Sequence, residues 1–256
     1  MNKLLQPGRI MFAIGIIGLG VLCIISKDFI VGRPPAWPAG WNVNPILAYV
    51  SGTALILAAI AIIINKKAGP AALLIAALIF FLSVLRHIPH FMNDWGNGYK
   101  SLALFGGALI LAVVRPNAAL VRLETNQGSV KTNLGKIIVL TGCILLAAFF
   151  IASGYAHFKF AGFVKLFIPS YIPFHGFWTY FCAICLFAGA AGLLIPQTRK
   201  WAALFSGFMV LGWFLLLHIP RFIANTNDPS DRMGLCESFT FAGIFFALAG
   251  MLSEKK

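Results

Sequence analysis

Two of the five histidines head the same tripeptide, His87-Ile88-Pro89 and His218-Ile219-Pro220. A neutral imidazole donates one hydrogen bond and accepts another, and near neutral pH it can take a proton. Arg86, His90 and Arg221 stand beside the two histidines. Together they could hold a quinone carbonyl, a sulfur oxyanion or a lipid head group, with the histidines facing each other across a pseudo-axis. An architectural role fits the same residues: proline has no N–H and stops or kinks a helix, and a cationic side chain suits a helix C-terminus, so each histidine could cap the carbonyls freed there. Tyr49 and Tyr180 could supply hydroxyls to the same pocket or belong to an aromatic belt at the membrane surface.

A second polar stretch begins at His157 and continues to His175, alternating Lys159 and Lys165 with aromatic residues in HFKFAGFVKLFIPSYIPF. This composition suits a segment lying in the head-group layer, with lysines snorkelling and rings embedded, or a lid over a lipophilic pocket. Cys182 and Cys185 form a C-x-x-C that would share one helix face. Thiol redox chemistry is one use for such a pair, and small-residue packing is the other. Cys23 and Cys236 fall near the outer side, where a structural disulfide could form. No metal site is expected, because Pro89 separates His87 from His90 and no Cys or Glu completes a ligand set.

The elements that must position these residues are membrane helices. Of the 256 residues, 60% are hydrophobic and 11% charged, and the mean hydropathy is +0.89. Such values exclude a disordered chain, a disulfide scaffold and a soluble nucleic-acid binder. Apolar runs predict eight spans, Ile10 to Ile25, Pro45 to Ile64, Ala71 to Leu85, Ser101 to Val114, Lys136 to Ser153, His175 to Ile195, Trp201 to His218 and Ser238 to Leu252. The first follows Lys3 and Arg9 as a signal peptide would, but no small-x-small cleavage site follows it, so it is expected to be retained. Eight spans put both termini on one side, which receives 12 of the 20 Lys and Arg residues. The positive-inside rule then makes both termini cytoplasmic in the plasma (inner) membrane. The net charge of +13 follows from this topology and contact with anionic lipid, with no nucleic-acid partner required.

The chain also repeats itself. At an offset of 131, Pro38 to Phe91 falls on Pro169 to Phe222, pairing Tyr49 with Tyr180 and His87-Ile88-Pro89 with His218-Ile219-Pro220. Towards the ends the offset drifts, so that Gly8 and Gly15 meet Gly135 and Gly142, and Ser101 and Gly106 meet Ser238 and Gly243. The expected architecture is an all-α membrane protein of two tandem four-helix bundles, residues 1–115 and 136–256, joined by a basic cytoplasmic linker over 116–135. The Gly-containing fourth and eighth helices are compatible with a midplane binding site or with close helix packing.

Within the second half, Gly154-Tyr-Ala-His-Phe158, Phe167-Ile-Pro-Ser-Tyr-Ile-Pro173 and Gly192-Leu-Leu-Ile-Pro-Gln-Thr-Arg-Lys200 resemble motifs of the DoxX-like integral membrane proteins. The resemblance covers roughly residues 136 to 250; the first half shares it only through the repeat, with Phe29-Ile30 and the Arg33-Pro-Pro-Ala-Trp-Pro-Ala turn as its vestiges. It implies a fused pair of units that are usually separate four-helix proteins. It also implies an accessory, non-catalytic role binding a quinone-type ligand beside a redox partner; if an enzyme, the chain would be a quinone-linked oxidoreductase component. A small-solute transporter and an assembly factor acting on a client membrane protein are the alternatives.

Overall fold

The computed structural model describes residues 2–114 and 129–253 apart from Ala39 and Asn42. Among them are nine α-helices: α1 (Leu5–Ser26), α2 (Ile46–Ile63), α3 (Ala68–His90, including its irregular end), α4 (Trp95–Val113), α5 (Ser129–Lys159), the short α6 (Ala161–Phe167), α7 (His175–Leu194), α8 (Arg199–Ala224, likewise irregular) and α9 (Pro229–Met251). All but α4 and α6 are long and apolar enough to cross a bilayer, which makes this a multi-pass, all-helical membrane protein. The linker expected over 116–135 lies partly outside the described residues, and α5 already begins at Ser129. Once a helix is nucleated, each further residue adds a backbone hydrogen bond, so the span extends beyond its apolar stretch.

The fourth expected span forms α4, whose first turns carry Asn97, Tyr99 and Lys100 and dilute its apolar character. It nevertheless runs the length of α3. Gly98 packs on Phe91 near one end, and Gly69 meets the Ala112 carbonyl at the other. At 19 residues, α4 is about 28 Å long, close to the hydrocarbon thickness of a bilayer.

Neighbouring helices follow one another around the molecule from α1 through α2, α3, α4, α5, α7 and α8 to α9, which returns against α1. Two seams join helices from the two halves of the chain, α1 with α9 and α4 with α5. Glycine sets both. A Cβ at Gly243 would lie 2.7 Å from the Gly8 carbonyl oxygen, and one at Gly142 would lie 2.7 Å from that of Gly106. Helices in lipid gain little from hydrophobic burial, so close backbone approach and its dispersion contacts must hold them together. The antiparallel α1–α9 seam brings Leu5 beside Gly250, placing both described ends of the chain at the same end of the bundle. There Arg9, almost fully buried, donates to the Ile62 carbonyl and to Asn65, tying α1 to the C-terminus of α2. Protein encloses 78% of the apolar span of α9 but only 22% of that of α8. The outer surface is correspondingly apolar, with Leu57, Leu73, Phe81, Ile144, Ile184 and Phe205 exposed.

The proline-marked ends of α3 and α8 depart from the sequence expectation. Neither helix stops at its histidine: α3 passes through a π-helical turn at Phe80–Val84 and reaches His90, and α8 passes through one at Phe214–His218 and reaches Ala224. Pro89 and Pro220 fall in the first positions of the following turn, where proline's fixed φ suits a helix. The carbonyl that Pro220 cannot serve, that of Leu216, accepts the Tyr171 hydroxyl. Tyrosine, and not histidine, does the capping there.

Candidate functional site

At the histidine end, the two halves of the chain enclose different things. In the first half Arg86 is buried, and its guanidinium donates to both carboxylate oxygens of Asp28 at 3.3 and 3.2 Å, to the Pro35 carbonyl, and to the Phe29 carbonyl at 3.1 Å. It also lies 4.1 Å from the Trp37 ring centre, and the indole N–H donates to Asp28 at 2.9 Å. Arg86 is therefore occupied in pinning the loop that leaves α1. Nearby, Ser83, Ser101 and the Gly32 carbonyl form a buried chain of hydrogen bonds at 2.9 and 3.0 Å. A Cβ on Gly32, which has φ +76°, would press on Ser101.

In the second half lies a cavity of about 380 Å³. Phe149 and Phe150 of α5, Trp178 and Leu186 of α7, Met209 and Trp213 of α8 and Phe241 of α9 give it apolar walls, and Val164, Phe167 and Ile168 cover one end. The polar lining gathers at that end, comprising Ser153, His157, Thr179, His218, Glu237 and Ser238 together with Arg33 and Lys100 from the first half.

Glu237 organises this polar end. Its side chain is 5% exposed, and its Oε2 accepts from Lys100 Nζ at 3.2 Å and lies 3.5 Å from Arg33 Nε. Two cations around one carboxylate leave the cluster with an excess of one positive charge. Arg33, whose φ of 55° lies in the left-handed region, is held in place by donating to the Ser230 carbonyl at 2.9 Å. Two atoms of the group have no hydrogen-bond partner, Glu237 Oε1 and Arg33 Nε. Buried polar atoms rarely go unpaired, so these two mark unmet hydrogen-bonding demand beside the cavity, with both atoms themselves closed off from water. His157 adds an acceptor. Its Nδ1 must donate to the Ser153 carbonyl at 2.7 Å, because a carbonyl cannot donate, which leaves Nε2 of the neutral ring to accept.

Of the residues singled out from sequence, His218 and His157 line this cavity. Arg221 sits at its rim, donating to Asp231 at 2.8 Å and lying 4.6 Å from the ring centre of Phe167. His87 is buried in the other half, 3.6 Å from Asp94, with both ring nitrogens lacking a hydrogen-bond partner. His90 is exposed. Tyr49 and Tyr180 stand on the lateral surface at 40% and 42% exposure, and neither lines the cavity.

Arg33, Lys100 and Glu237 were not singled out from sequence. They are 67 and 137 residues apart, and nothing local announces that they meet. One signal was present: the offset that pairs Ser101 with Ser238 also pairs Lys100 with Glu237. All five cysteines are free, so Cys23 and Cys236 form no disulfide; Cys182 accepts from the Trp213 indole at 3.1 Å and serves as a wall residue. Among the described residues no group of His, Cys, Asp and Glu could hold a metal ion.

A family model described as "Domain of unknown function (DUF8561)" matches residues 146–228, which include the C-terminal part of α5 and all of α6, α7 and α8. The match takes in less than half of the chain. No curated protein and no solved structure matches it. Fold and site together define a multi-pass helical membrane protein with an internal cavity that is apolar along its walls and charged at one end.

Proposed function

We propose that the protein is a lipophilic-ligand-binding accessory subunit of a membrane redox system, holding a quinone-type molecule in the cavity between α5, α7, α8 and α9. The observation that carries this reading is the pairing of apolar walls with a polar end lined by Ser153, His157, Thr179, His218 and Glu237. A ligand site is typically a mostly apolar concavity with a few placed polar groups. A quinone or quinol ring fits one, its oxygens within reach of Arg33, His218 and Glu237 and its apolar part among the aromatic walls. The sequence resemblance to DoxX-like proteins supports the redox setting. The Lys and Arg distribution supports cytoplasmic termini in the plasma membrane, with the cavity's polar end toward the outer leaflet.

The same reading takes the chain as two fused four-helix units. In its support, the α1–α9 and α4–α5 seams exchange under the repeat, and the Lys100–Glu237 pair joins matching positions of the two units. The first unit, with Arg86 buried inside it, acts as the scaffold; the second, with Leu217 at the position matched to Arg86, keeps its interior open. Transport of a small solute is the second reading. Glu237 favours it, as a buried carboxylate two turns inside a span.

The test is mass spectrometry of small lipophilic molecules that co-purify in mild detergent with the wild type and with a His157→Leu, His218→Leu double variant of matched thermal stability. A defined quinone retained by the wild type and lost from the variant is the expected result. Identical bulk lipid in both samples would overturn the proposal.

A further inference from the structure

Behind the Trp178–Trp213 wall lies a second cavity, of about 540 Å³, between α7 and α8. Its lining includes Phe205, Phe208 and Leu216, which are exposed on the bilayer-facing surface at 64%, 55% and 51%. Trp178, Cys182, Met209 and Trp213 border both cavities, so a single layer of side chains separates them. The two indoles meet edge to face with centres 6.0 Å apart, and Trp213 is tethered only by its N–H to the Cys182 sulfur.

Helix α8 is poorly suited to be a sealed wall. It is the least enclosed of the apolar spans, its π-helical turn loosens its regular ladder just beyond Trp213, and a Cβ at Gly212 would meet nothing within 4 Å. π-turns of this kind recur at functional positions in helices.

From this shared thin wall we infer that the two cavities form one binding path for a single-tailed amphiphile, with the Trp178–Trp213 pair moving aside to admit the tail. The head occupies the Arg33–Glu237–Lys100 end of the first, and the tail passes the Trp178–Trp213 pair into the second and out to the bilayer core. The inference rests on the ligand reading proposed above and adds the class of ligand, a polar ring or head with one long apolar tail, and its route, sideways from the membrane. Both an isoprenoid quinone and a single-chain lipid have this chemistry. A bilayer-facing exit explains why a charged pocket should carry an apolar back door lined by Phe205, Phe208 and Leu216.

The test uses the full chain in lipid nanodiscs and a benzoquinone carrying a ten-carbon tail that ends in a photoreactive diazirine. The unlabelled competitors are the same ring bearing a methyl group and, separately, a ten-carbon fatty acid. Crosslinked residues are mapped by peptide mass spectrometry in the wild type, in Gly212→Phe, which fills the second cavity from open space, and in Ala188→Leu, which narrows it from α7. The expected result is crosslinking to Phe205, Phe208 or Leu216 that either competitor suppresses. It should fall at least about tenfold in both variants, because a side chain in the groove leaves no room for a tail. Suppression by the methyl ring identifies a quinone-type head and suppression by the fatty acid a lipid head, and either supports the path. Competable crosslinks confined to Phe149, Phe150 or Phe241 would overturn the path while leaving the ligand site standing. Crosslinks that no competitor suppresses and neither variant alters would overturn both.

Discussion

Arg86 and Glu237 show how differently two buried ionic side chains can be used. Arg86 has its donors matched by Asp28 and by the Pro35 and Phe29 carbonyls, whereas Glu237, buried at the polar end of the cavity, has one oxygen without a hydrogen-bond partner. Replacing Arg86 by Leu, the residue at the matching position of the second half, should therefore act on stability. It would strand Asp28 and two carbonyls, and since Asp28 is itself partly exposed, the cost should be about 2 kcal/mol, read as a lowered Tm in detergent. Glu237→Gln keeps the shape and an acceptor but removes the charge that balances Lys100 and Arg33. Thermal unfolding should show a loss of about 1–3 kcal/mol, as expected when a buried charge loses its partner's compensation. An unchanged Tm for Arg86→Leu would contradict the structural role assigned to that residue.

For the helices as elements, glycine has two unlike uses. At the α1–α9 seam Gly243 lies against the backbone of Gly8 and Phe12, so nothing flexible can yield to an added methyl. Gly243→Ala should destabilise by about 2 kcal/mol, the cost of overpacking where neither backbone can retreat. Gly212→Ala, in open space on α8, should be neutral or stabilise by up to about 1 kcal/mol, because alanine restricts the unfolded helix segment. Chemical denaturation of the two variants side by side measures the contrast, and equal losses would contradict the seam geometry. The expected spans predicted most of these helices, since length and apolarity are local properties. Sequence missed the continuation of α3 and α8 beyond their prolines. That outcome depends on π-helical turns and on Tyr171, which is 45 residues from the carbonyl it serves.

At the scale of the whole molecule, the bundle has its polar cluster and cavity at one end and both described chain ends at the other. If the termini are cytoplasmic, a cysteine introduced at Asn227 should react with an impermeant maleimide on intact cells. One at Lys66 should react only after lysis, both in a background with the five native cysteines replaced by alanine. The reverse pattern would invert the topology and turn the cavity's polar end to the cytoplasm.

What the sequence determined by itself was the class of molecule: helices apolar over a bilayer's thickness, with basic residues unequally shared between their ends. Those properties belong to segments of about 20 residues and need no partner to be read. It also exposed His218 and His157, because histidines in an apolar chain are conspicuous wherever they fall. Only the tertiary structure decided that His157 and His218 border a cavity while His87 does not, and that Arg33, Lys100 and Glu237 converge there. The reason is physical: which polar groups meet depends on how the helices cross, and the crossings are set by glycine contacts between α1 and α9 and between α4 and α5, segments far apart in the chain.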